Sequence, residues 1–110
     1  MEIISCNDED FRQCLSQQNF SLVRFYAEWC GTCKLLYPYF IEYAENTELD
    51  QLIFIDVNID EAPVIESEFD VKMVPSFAFF IKGELYKSIQ PTNEEELLLF
   101  IKDIEDVIDL

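Results

Sequence analysis

Two cysteines separated by two residues are the part of this sequence best suited to chemistry. Cys30 and Cys33 lie within residues 27–34, where an apolar run gives way to a helical pattern. A pair with this spacing binds a metal or exchanges disulfides, and the local structure decides between the two. A helix that begins near Cys30 turns that sulfur toward unpaired backbone N–H groups and the positive end of the helix dipole, which favour the reactive thiolate. Cys33 follows one turn later, so we predict that Cys30 attacks a disulfide and Cys33 resolves the mixed disulfide.

The other two cysteines do not complete a metal site. Zinc bound to Cys30 and Cys33 needs two more ligands, whereas Cys6 and Cys14 lie in a distant part of the chain with seven residues between them. We therefore expect no metal. Cys14 falls on the apolar face of a predicted helix with Phe11, and we interpret it as a small buried hydrophobe. Cys6 is ambiguous, and partial exposure with susceptibility to oxidation is one interpretation.

The composition indicates one domain and excludes several functions. The 110 residues are 50% hydrophobic and 15% aromatic, enough for one core, so we expect residues 1–110 to form a single domain. Seven basic and 23 acidic residues give a net charge of −16, which argues against binding to nucleic acid or anionic membranes and favours a monomer. The absence of histidine excludes Ser-His-Asp and Cys-His catalysis.

The first residues and the apolar runs bear on location. Residues 1–8 lack a basic region followed by an apolar stretch, and no apolar run approaches the ~20 residues that span a bilayer. These features predict a cytoplasmic protein. Because disulfides are rare in that compartment, the cysteines are not expected to form structural disulfides.

Hydrophobic patterning predicts alternating strands and helices around the cysteine pair. The strand that leads to Cys30 is apolar on both faces, as expected at the centre of a sheet, although Arg24 interrupts it. Strands separated by helices pair in parallel, whereas the last two strands, joined at Lys82 and Gly83, form an antiparallel hairpin. The predicted order is β-α-β-α-β-α-β-β-α, an α/β fold with a mixed sheet covered by helices. The predicted strands are 3–4, 20–27, 52–59, 76–82 and 84–89, and the predicted helices include 30–46 and part of 61–69.

Polar residues predict where the first and last helices begin. Asn7 or Asp8 is expected to cap the first helix. Thr92 with Glu95 matches a capping box that opens the last helix. Pro38 lies inside the helix that follows the cysteines and predicts a kink there. The buried stripe predicted for the last helix consists of Leu97, Phe100, Ile101, Ile104 and Ile108.

Residues 25–34, Phe-Tyr-Ala-Glu-Trp-Cys-Gly-Thr-Cys-Lys, resemble the active site of the thioredoxin family. The resemblance covers nearly the whole chain, because residues 56–60 resemble the third strand of that family and residues 77–84 its later hairpin. Val74 and Pro75 resemble the loop whose cis-proline lies beside the reactive cysteines and pairs with an extended substrate segment. The resemblance implies a thioredoxin fold, with a central mixed sheet flanked by helices.

The resemblance also implies a function. It implies a protein-disulfide reductase that works by thiol–disulfide exchange through Cys30 and Cys33 and receives electrons from an NADPH-dependent thioredoxin reductase. No cofactor is implied, because the electrons reside on the two sulfurs. The implied substrate contacts are Trp29, Gly31, Val74 and Pro75.

Three of the positions that depart from the family pattern concern the electrostatics of the site. Thr32 replaces the usual proline between the cysteines; its N–H and hydroxyl near Cys30 predict a modestly more oxidising disulfide. Arg24 occupies the position of a buried aspartate, and Asp56 that of its usual lysine partner. The exchanged signs predict a buried Arg24–Asp56 ion pair, and the alternative is that both side chains reach the surface independently. A paired Asp56, or else solvent, would accept the Cys33 proton, and Arg24 would favour a nearby thiolate.

Two other functions stay open at this point. Thr32 favours an oxidase or isomerase like the domains of protein disulfide isomerase, whereas the lack of a visible signal peptide argues against that function. A non-catalytic acidic module with this fold would instead bind a basic partner and keep its cysteines incidentally. The equilibrium of Cys30 and Cys33 with glutathione separates the reductase from the first alternative. Loss of insulin reduction in Cys30→Ser separates it from the second.

Overall fold

The computed structural model describes residues 2–109, in which strands and helices alternate in the predicted order. The strands are β1 (Ile3–Ser5), β2 (Phe20–Tyr26), β3 (Leu52–Asn58), β4 (Ser76–Ile81) and β5 (Glu84–Ile89). The helices are α1 (Phe11–Leu15), α2 (Gly31–Asn46), α3 (Pro63–Glu68) and α4 (Glu94–Ile108), and a 3₁₀ turn occupies Ile59–Glu61. β3 ends one residue earlier than predicted, because the Asn58 side chain accepts the Asp60 N–H at 3.1 Å and starts that turn.

The sheet has the strand order β1-β3-β2-β4-β5, with β2 at its centre. β2 pairs in parallel with β3 and antiparallel with β4, so backbone groups along both of its edges are hydrogen-bonded. Residues 21–25 of this strand are all buried, as predicted for a strand covered on both faces. The predicted β4–β5 hairpin is confirmed. It turns at Lys82 and Gly83, whose φ angles of 51° and 82° suit a tight turn between twisted strands.

Aromatic side chains fill the space on both faces of the sheet. On the side of α1 and α3, the rings of Phe11 and Phe80 meet edge-on with centroids 5.8 Å apart. On the side of α2 and α4, Phe40 meets Phe54 at 5.9 Å and Phe77 at 5.5 Å. The helices are thus layered on the sheet through buried rings. Within residues 2–109, no helix is long and apolar enough to cross a membrane.

Cys6 and Cys14 form a disulfide in the core, which the sequence patterns do not predict. The Cys6 N–H donates to the Asp56 carbonyl at 2.9 Å, so the chain continues the pairing of β1 with β3 and the Cys6 side chain points inward. Cys6 is therefore only 7% exposed, and the interpretation of it as partly exposed is wrong. Cys14 is buried as predicted, but as half of a disulfide rather than as a separate apolar side chain.

The polar residues before α1 cap other elements than predicted. α1 starts after Asp10, which makes no side-chain capping bond. Asn7 closes the preceding turn, because its side-chain oxygen accepts N–H groups within that turn. Asp8 caps α3 instead, since its carboxylate accepts the N–H of Val64 at 3.1 Å and that of Ile65 at 2.9 Å. The segment before α1 therefore serves a helix that lies far away in the sequence.

α4 is capped one residue later than predicted. Asn93, not Thr92, is the N-cap, and its side-chain oxygen accepts the Glu96 N–H at 2.9 Å. The N–H and hydroxyl of Thr92 donate to the Glu96 carboxylate at 2.9 and 2.6 Å, and these bonds lower the pKa of Glu96. The sequence offers the capping pattern in two overlapping registers, and asparagine is the stronger cap. The predicted apolar stripe is buried except for Ile108, which is half-buried near the helix end.

Asn93→Ala is expected to lower the free energy of unfolding by ~1 kcal/mol, because it removes the acceptor for the Glu96 N–H. Asn93→Ser retains a side-chain acceptor and serves as the control, with stability close to that of the wild type. Urea unfolding followed by circular dichroism measures both variants. Equal losses in the two would show that Asn93 does not act as a cap.

Candidate active site

Cys30 stands at the junction between the central strand and α2. It has extended backbone angles, φ −88° and ψ 112°, and is the N-cap of α2. Its sulfur accepts the N–H of Cys33 at 3.1 Å, and the first turn of the helix contains no acidic residue. The unpaired N–H groups and the dipole of this 16-residue helix therefore favour negative charge on the Cys30 sulfur when it is reduced.

Cys30 and Cys33 are joined by a disulfide, with their Cα atoms 5.3 Å apart. Cys33 is the deeper of the two, at 2% exposure against 6% for Cys30. Both pack with Ala27 and the half-buried Val74. The pair therefore lies just below the surface, with Cys30 as the outer member.

The loop at Val74 and Pro75 lies directly against this disulfide. The peptide bond between the two residues is cis, as the resemblance implies. The Val74 carbonyl oxygen lies 3.5 Å from the Cys30 sulfur. β4 begins at the next residue, Ser76, so the sheet holds the loop in this position. A backbone acceptor thus stands beside the sulfur.

Trp29, Gly31 and Thr32 surround the disulfide. Trp29 is 69% exposed, and its indole N–H donates to the Asp60 carboxylate at 2.9 Å. Gly31 is exposed, and a Cβ added there would meet nothing within 4 Å, so packing does not require a glycine. Thr32 is half-buried, and no hydrogen bond joins it to the Cys30 sulfur within residues 2–109, so its effect on the disulfide stays a prediction. Asp60 was not predicted, although its place just after an apolar strand was visible in the sequence.

A buried ion pair lies on the two strands at the centre of the sheet. Arg24 of β2 and Asp56 of β3 are direct neighbours in the parallel register. The arginine Nε donates to Oδ1 at 2.8 Å, and Nη2 donates to Oδ2 at 3.0 Å. The two residues are 5% and 6% exposed. The predicted pairing is confirmed, and this two-point geometry offsets part of the cost of burying both charges.

Two tyrosines enclose the guanidinium of this pair. The Arg24 Cζ atom lies 4.1 Å from the centre of the Tyr26 ring and 4.0 Å from that of Tyr37. The attraction between a cation and aromatic ring faces adds to the salt bridge and helps to keep the side chain in place. The contact of Tyr26 with Arg24 could be predicted from strand periodicity, because residues two apart in a strand lie on the same face. The contact of Tyr37 could not, because it depends on how α2 packs on the sheet.

The ion pair and Cys33 line one open cleft of about 560 Å³. Tyr26 also lines it, and burial, followed by the Asp56 charge, raises the pKa of Tyr26 above its ordinary value of 10.0. Tyr26 is therefore a neutral phenol at physiological pH. The guanidinium of Arg24 brings a positive charge to this cleft. Cys33 thus shares its cleft with the positive charge of Arg24, which the Asp56 carboxylate holds in place through two hydrogen bonds.

Known proteins with a similar sequence and fold assign the family. The family model described as thioredoxin matches residues 2–103. The chain belongs to the thioredoxin family. Thioredoxin-1 of Caenorhabditis elegans is 38% identical over 90 residues, which cover 80% of this chain and 76% of that protein. The thioredoxin of Mycoplasmoides gallisepticum is 37% identical over 96 residues, covering 84% and 94%. The crystal structure of oxidised mitochondrial thioredoxin 3 from Saccharomyces cerevisiae matches with a TM-score of 0.80 at 30% identity, covering 92% of this chain and 94% of that one.

This thioredoxin is a dithiol–disulfide oxidoreductase that acts on disulfide substrates. Its Cys30–Cys33 disulfide lies near the active-site position of the family. The expected thioredoxin fold is confirmed by the mixed five-stranded sheet with its covering helices within residues 2–109. Family membership favours the enzyme over the non-catalytic interaction module.

Removing one member of the buried ion pair is expected to cost more than removing both. Arg24→Met or Asp56→Leu alone leaves an unpaired buried charge and should lower the free energy of unfolding by ~3–5 kcal/mol. The double variant leaves no such charge, so its loss should be smaller than that of either single variant and well below the sum of the two. Urea unfolding of the four proteins measures this coupling.

The matched control is the surface pair formed by Lys87 and Asp103, which are 3.2 Å apart with side chains 51% and 58% exposed. Lys87→Met is expected to cost less than ~1 kcal/mol, because water screens exposed charges. Additive losses in the Arg24 and Asp56 variants would contradict a coupled pair.

Proposed function

We propose that this thioredoxin works as a protein-disulfide reductase in which Cys30 is the nucleophile and Cys33 the resolving thiol. The observation that carries this proposal is the position of Cys30 as N-cap of α2, with its sulfur accepting the Cys33 N–H at 3.1 Å. The helix end stabilises a negative sulfur there, and the thiolate is the species that attacks disulfides. Cys33, at 2% exposure, is shielded from external disulfides and close enough to attack Cys30.

The reaction begins with both cysteines reduced. The Cys30 thiolate attacks one sulfur of the substrate disulfide, forms a mixed disulfide and releases the other substrate sulfur as a thiolate. Cys33 then attacks the Cys30 sulfur, closes the bond between the two cysteines and releases the second substrate sulfur. Two electrons and two protons pass to the substrate. The two sulfurs carry the electrons, so the proposed cycle needs no cofactor.

The proposed substrate contacts are Trp29, Gly31, Val74 and Pro75. An extended segment of the substrate would lie along the cis-proline loop, where the Val74 carbonyl, 3.5 Å from the Cys30 sulfur, offers a backbone acceptor. Trp29, at 69% exposure, offers an apolar surface beside the reacting sulfurs. Gly31 leaves open space for an approaching chain.

Arg24, Asp56 and Thr32 are proposed to tune the sulfur chemistry. Arg24 lines the cleft of Cys33, and its fixed positive charge favours the Cys33 thiolate during the resolving step. Cys33 lines an open cleft, so its proton would leave through the cleft to solvent. Asp56 then acts by holding the guanidinium in place. Thr32, in place of proline, would make the disulfide modestly more oxidising.

An NADPH-dependent thioredoxin reductase is the proposed electron donor, and the family relationship supports this source of electrons. The net charge of −16 supports a monomer that avoids nucleic acid and anionic membranes, and residues 1–110 are proposed to act as one domain. The cytoplasm is the proposed location, because its reducing conditions keep thiols available.

Cys30→Ser is expected to abolish reduction of insulin disulfides, because the attacking sulfur is gone. Cys33→Ser is expected to accumulate a mixed disulfide at Cys30, since nothing resolves it. Turbidity measures insulin reduction, and intact mass under non-reducing conditions measures the adduct. The control, Cys6→Ser/Cys14→Ser, should retain turnover at 25 °C. An adduct on Cys33 in the Cys30→Ser variant, with turnover kept, would reverse the two roles.

The two halves of the ion pair are expected to shift the pH profile of insulin reduction in opposite directions. Arg24→Met removes the positive charge near Cys33. The pH at which the rate of insulin reduction rises should therefore be about one unit higher than in the wild type. Asp56→Asn leaves the positive charge unneutralised and should move the rise to lower pH. Initial rates between pH 5 and 9 measure both shifts. Unchanged midpoints in both variants would remove the tuning role, even if the rates fall at every pH.

A further inference from the structure

The disulfide between Cys6 and Cys14 takes no part in the reaction described above. It packs with Phe11 in the core cluster on the α1 side of the sheet, whereas Cys30 and Cys33 belong to a different cluster. The chain therefore contains two disulfides in two environments. One lies at the start of a long helix near the surface, and the other lies in the core.

The chain between Cys6 and Cys14 contacts α3 at both of its ends. At the N-terminus of α3, the Asp8 carboxylate accepts two backbone N–H groups at 3.1 and 2.9 Å. In its last turn, Glu68 forms an ion pair with Arg12. At its C-cap, the ring of Phe69 packs edge-on against Phe11, with centroids 5.8 Å apart. We call residues 6–14 the brace, because they hold α3 at both ends.

α3 depends on the brace because it is short. Its six residues are too few to form a stable helix alone in water. The chain leaves α3 through residues 69–73 and then reaches Val74 and Pro75 beside the Cys30 sulfur. Residues 69–73 are therefore the short stretch of chain that joins α3 to the loop at the active site.

We propose that Cys6 and Cys14 form a second redox site, distinct from the active site, that opens and closes the brace. The closed disulfide ties the brace into a ring and restricts the chain that caps α3. Reduction by a low-molecular-weight thiol such as glutathione removes this constraint, and the backbone of α3 then opens more often. The redox state of this site thus controls how well ordered the segment before the cis-proline loop is.

Closing the brace is a two-electron oxidation by a low-molecular-weight disulfide such as glutathione disulfide. One protein thiolate attacks that disulfide, forms a mixed disulfide and releases one glutathione thiolate. The second cysteine attacks the protein sulfur, closes the bond between Cys6 and Cys14 and releases the second glutathione. Two electrons and two protons pass from the protein to two glutathione molecules. Both cysteines belong to the core cluster, and neither lies at the start of a long helix as Cys30 does, so exchange requires local opening and is slower than at Cys30.

Asp10 lies close to both sulfurs, and ligand atoms of Cys6, Asp10 and Cys14 all lie within 4.8 Å of one another. When the cysteines are reduced, such a group has the chemistry of zinc ligands. A disulfide and a zinc ion exclude each other, because both use the same sulfurs. The bond between the two sulfurs favours the disulfide, and zinc binding is an outcome against the proposal.

The test uses the full chain with Cys30→Ser/Cys33→Ser, in which Cys6 and Cys14 are the remaining cysteines. The protein is equilibrated across ratios of reduced to oxidised glutathione, alkylated and analysed by mass. We expect one two-electron transition between dithiol and disulfide. Tm should be higher in the oxidised form by roughly 10 °C. Amide hydrogen exchange in α3 should be at least ~10-fold slower in the oxidised form.

Two further variants separate the redox step from its effect on α3. Adding Cys6→Ser/Cys14→Ser to the same background should remove the transition and leave α3 in rapid exchange at every ratio. Adding Asp8→Ala instead should keep the transition but remove most of the change in α3 exchange, because the contact at the start of α3 is lost. Slow amide hydrogen exchange of residues 21–25 in each variant would show that the sheet stays folded.

Three results would overturn the proposal. They are alkylation of both cysteines at every glutathione ratio, equal exchange of α3 in the oxidised and reduced forms, and purification with one zinc per chain bound by the two thiols. None of these readouts uses insulin reduction. Failure of this proposal is therefore distinguishable from failure of the proposed reductase, which is tested by Cys30→Ser.

Discussion

The structure of this thioredoxin depends most on the hydrogen bonding of β2 along both of its edges. Because β2 lies between β3 and β4, its carboxyl end cannot shift without breaking backbone pairs on two sides. From that end the chain turns through residues 27–29 and starts α2 with Cys30 as its cap. The same sheet sets Arg24 opposite Asp56 and starts β4 directly after Pro75. The helix end, the ion pair and the loop therefore come together through one strand register.

Features that depend on neighbouring residues were predictable from the sequence. The cysteine spacing, the doubly apolar strand and the hairpin turn each express local physics, and each is present in the structure. The pairing of Arg24 with Asp56 is a long-range contact, and it was predictable because the two signs are exchanged together relative to the family pattern. The predictions of helix caps were wrong where several polar residues follow one another. Asn7, Asp8 and Asn93 all have good capping side chains. A tertiary contact takes Asp8 to α3, whereas Asn7 and Asn93 bind N–H groups two or three residues away.

Other contacts could not be predicted, because they depend on how whole elements pack. The bond between Cys6 and Cys14 requires β1 to pair with β3 one residue past Ser5, which turns the first sulfur toward the core. Tyr37 reaches Arg24 only when α2 lies on the sheet in one particular rotation. Asp8 caps a helix whose N–H groups are 56 and 57 residues further along the chain. Periodicity and propensity carry no information over such separations.

The two edges of the sheet bear on aggregation. β1, at one edge, is three residues long. β5, at the other, carries Glu84 and Lys87, and its register with β4 shifts between Phe79 and Phe80. Short, charged or irregular edges are poor templates for a strand from another chain. The two edges thereby limit the risk that a strand from another chain adds to this sheet and seeds fibrils.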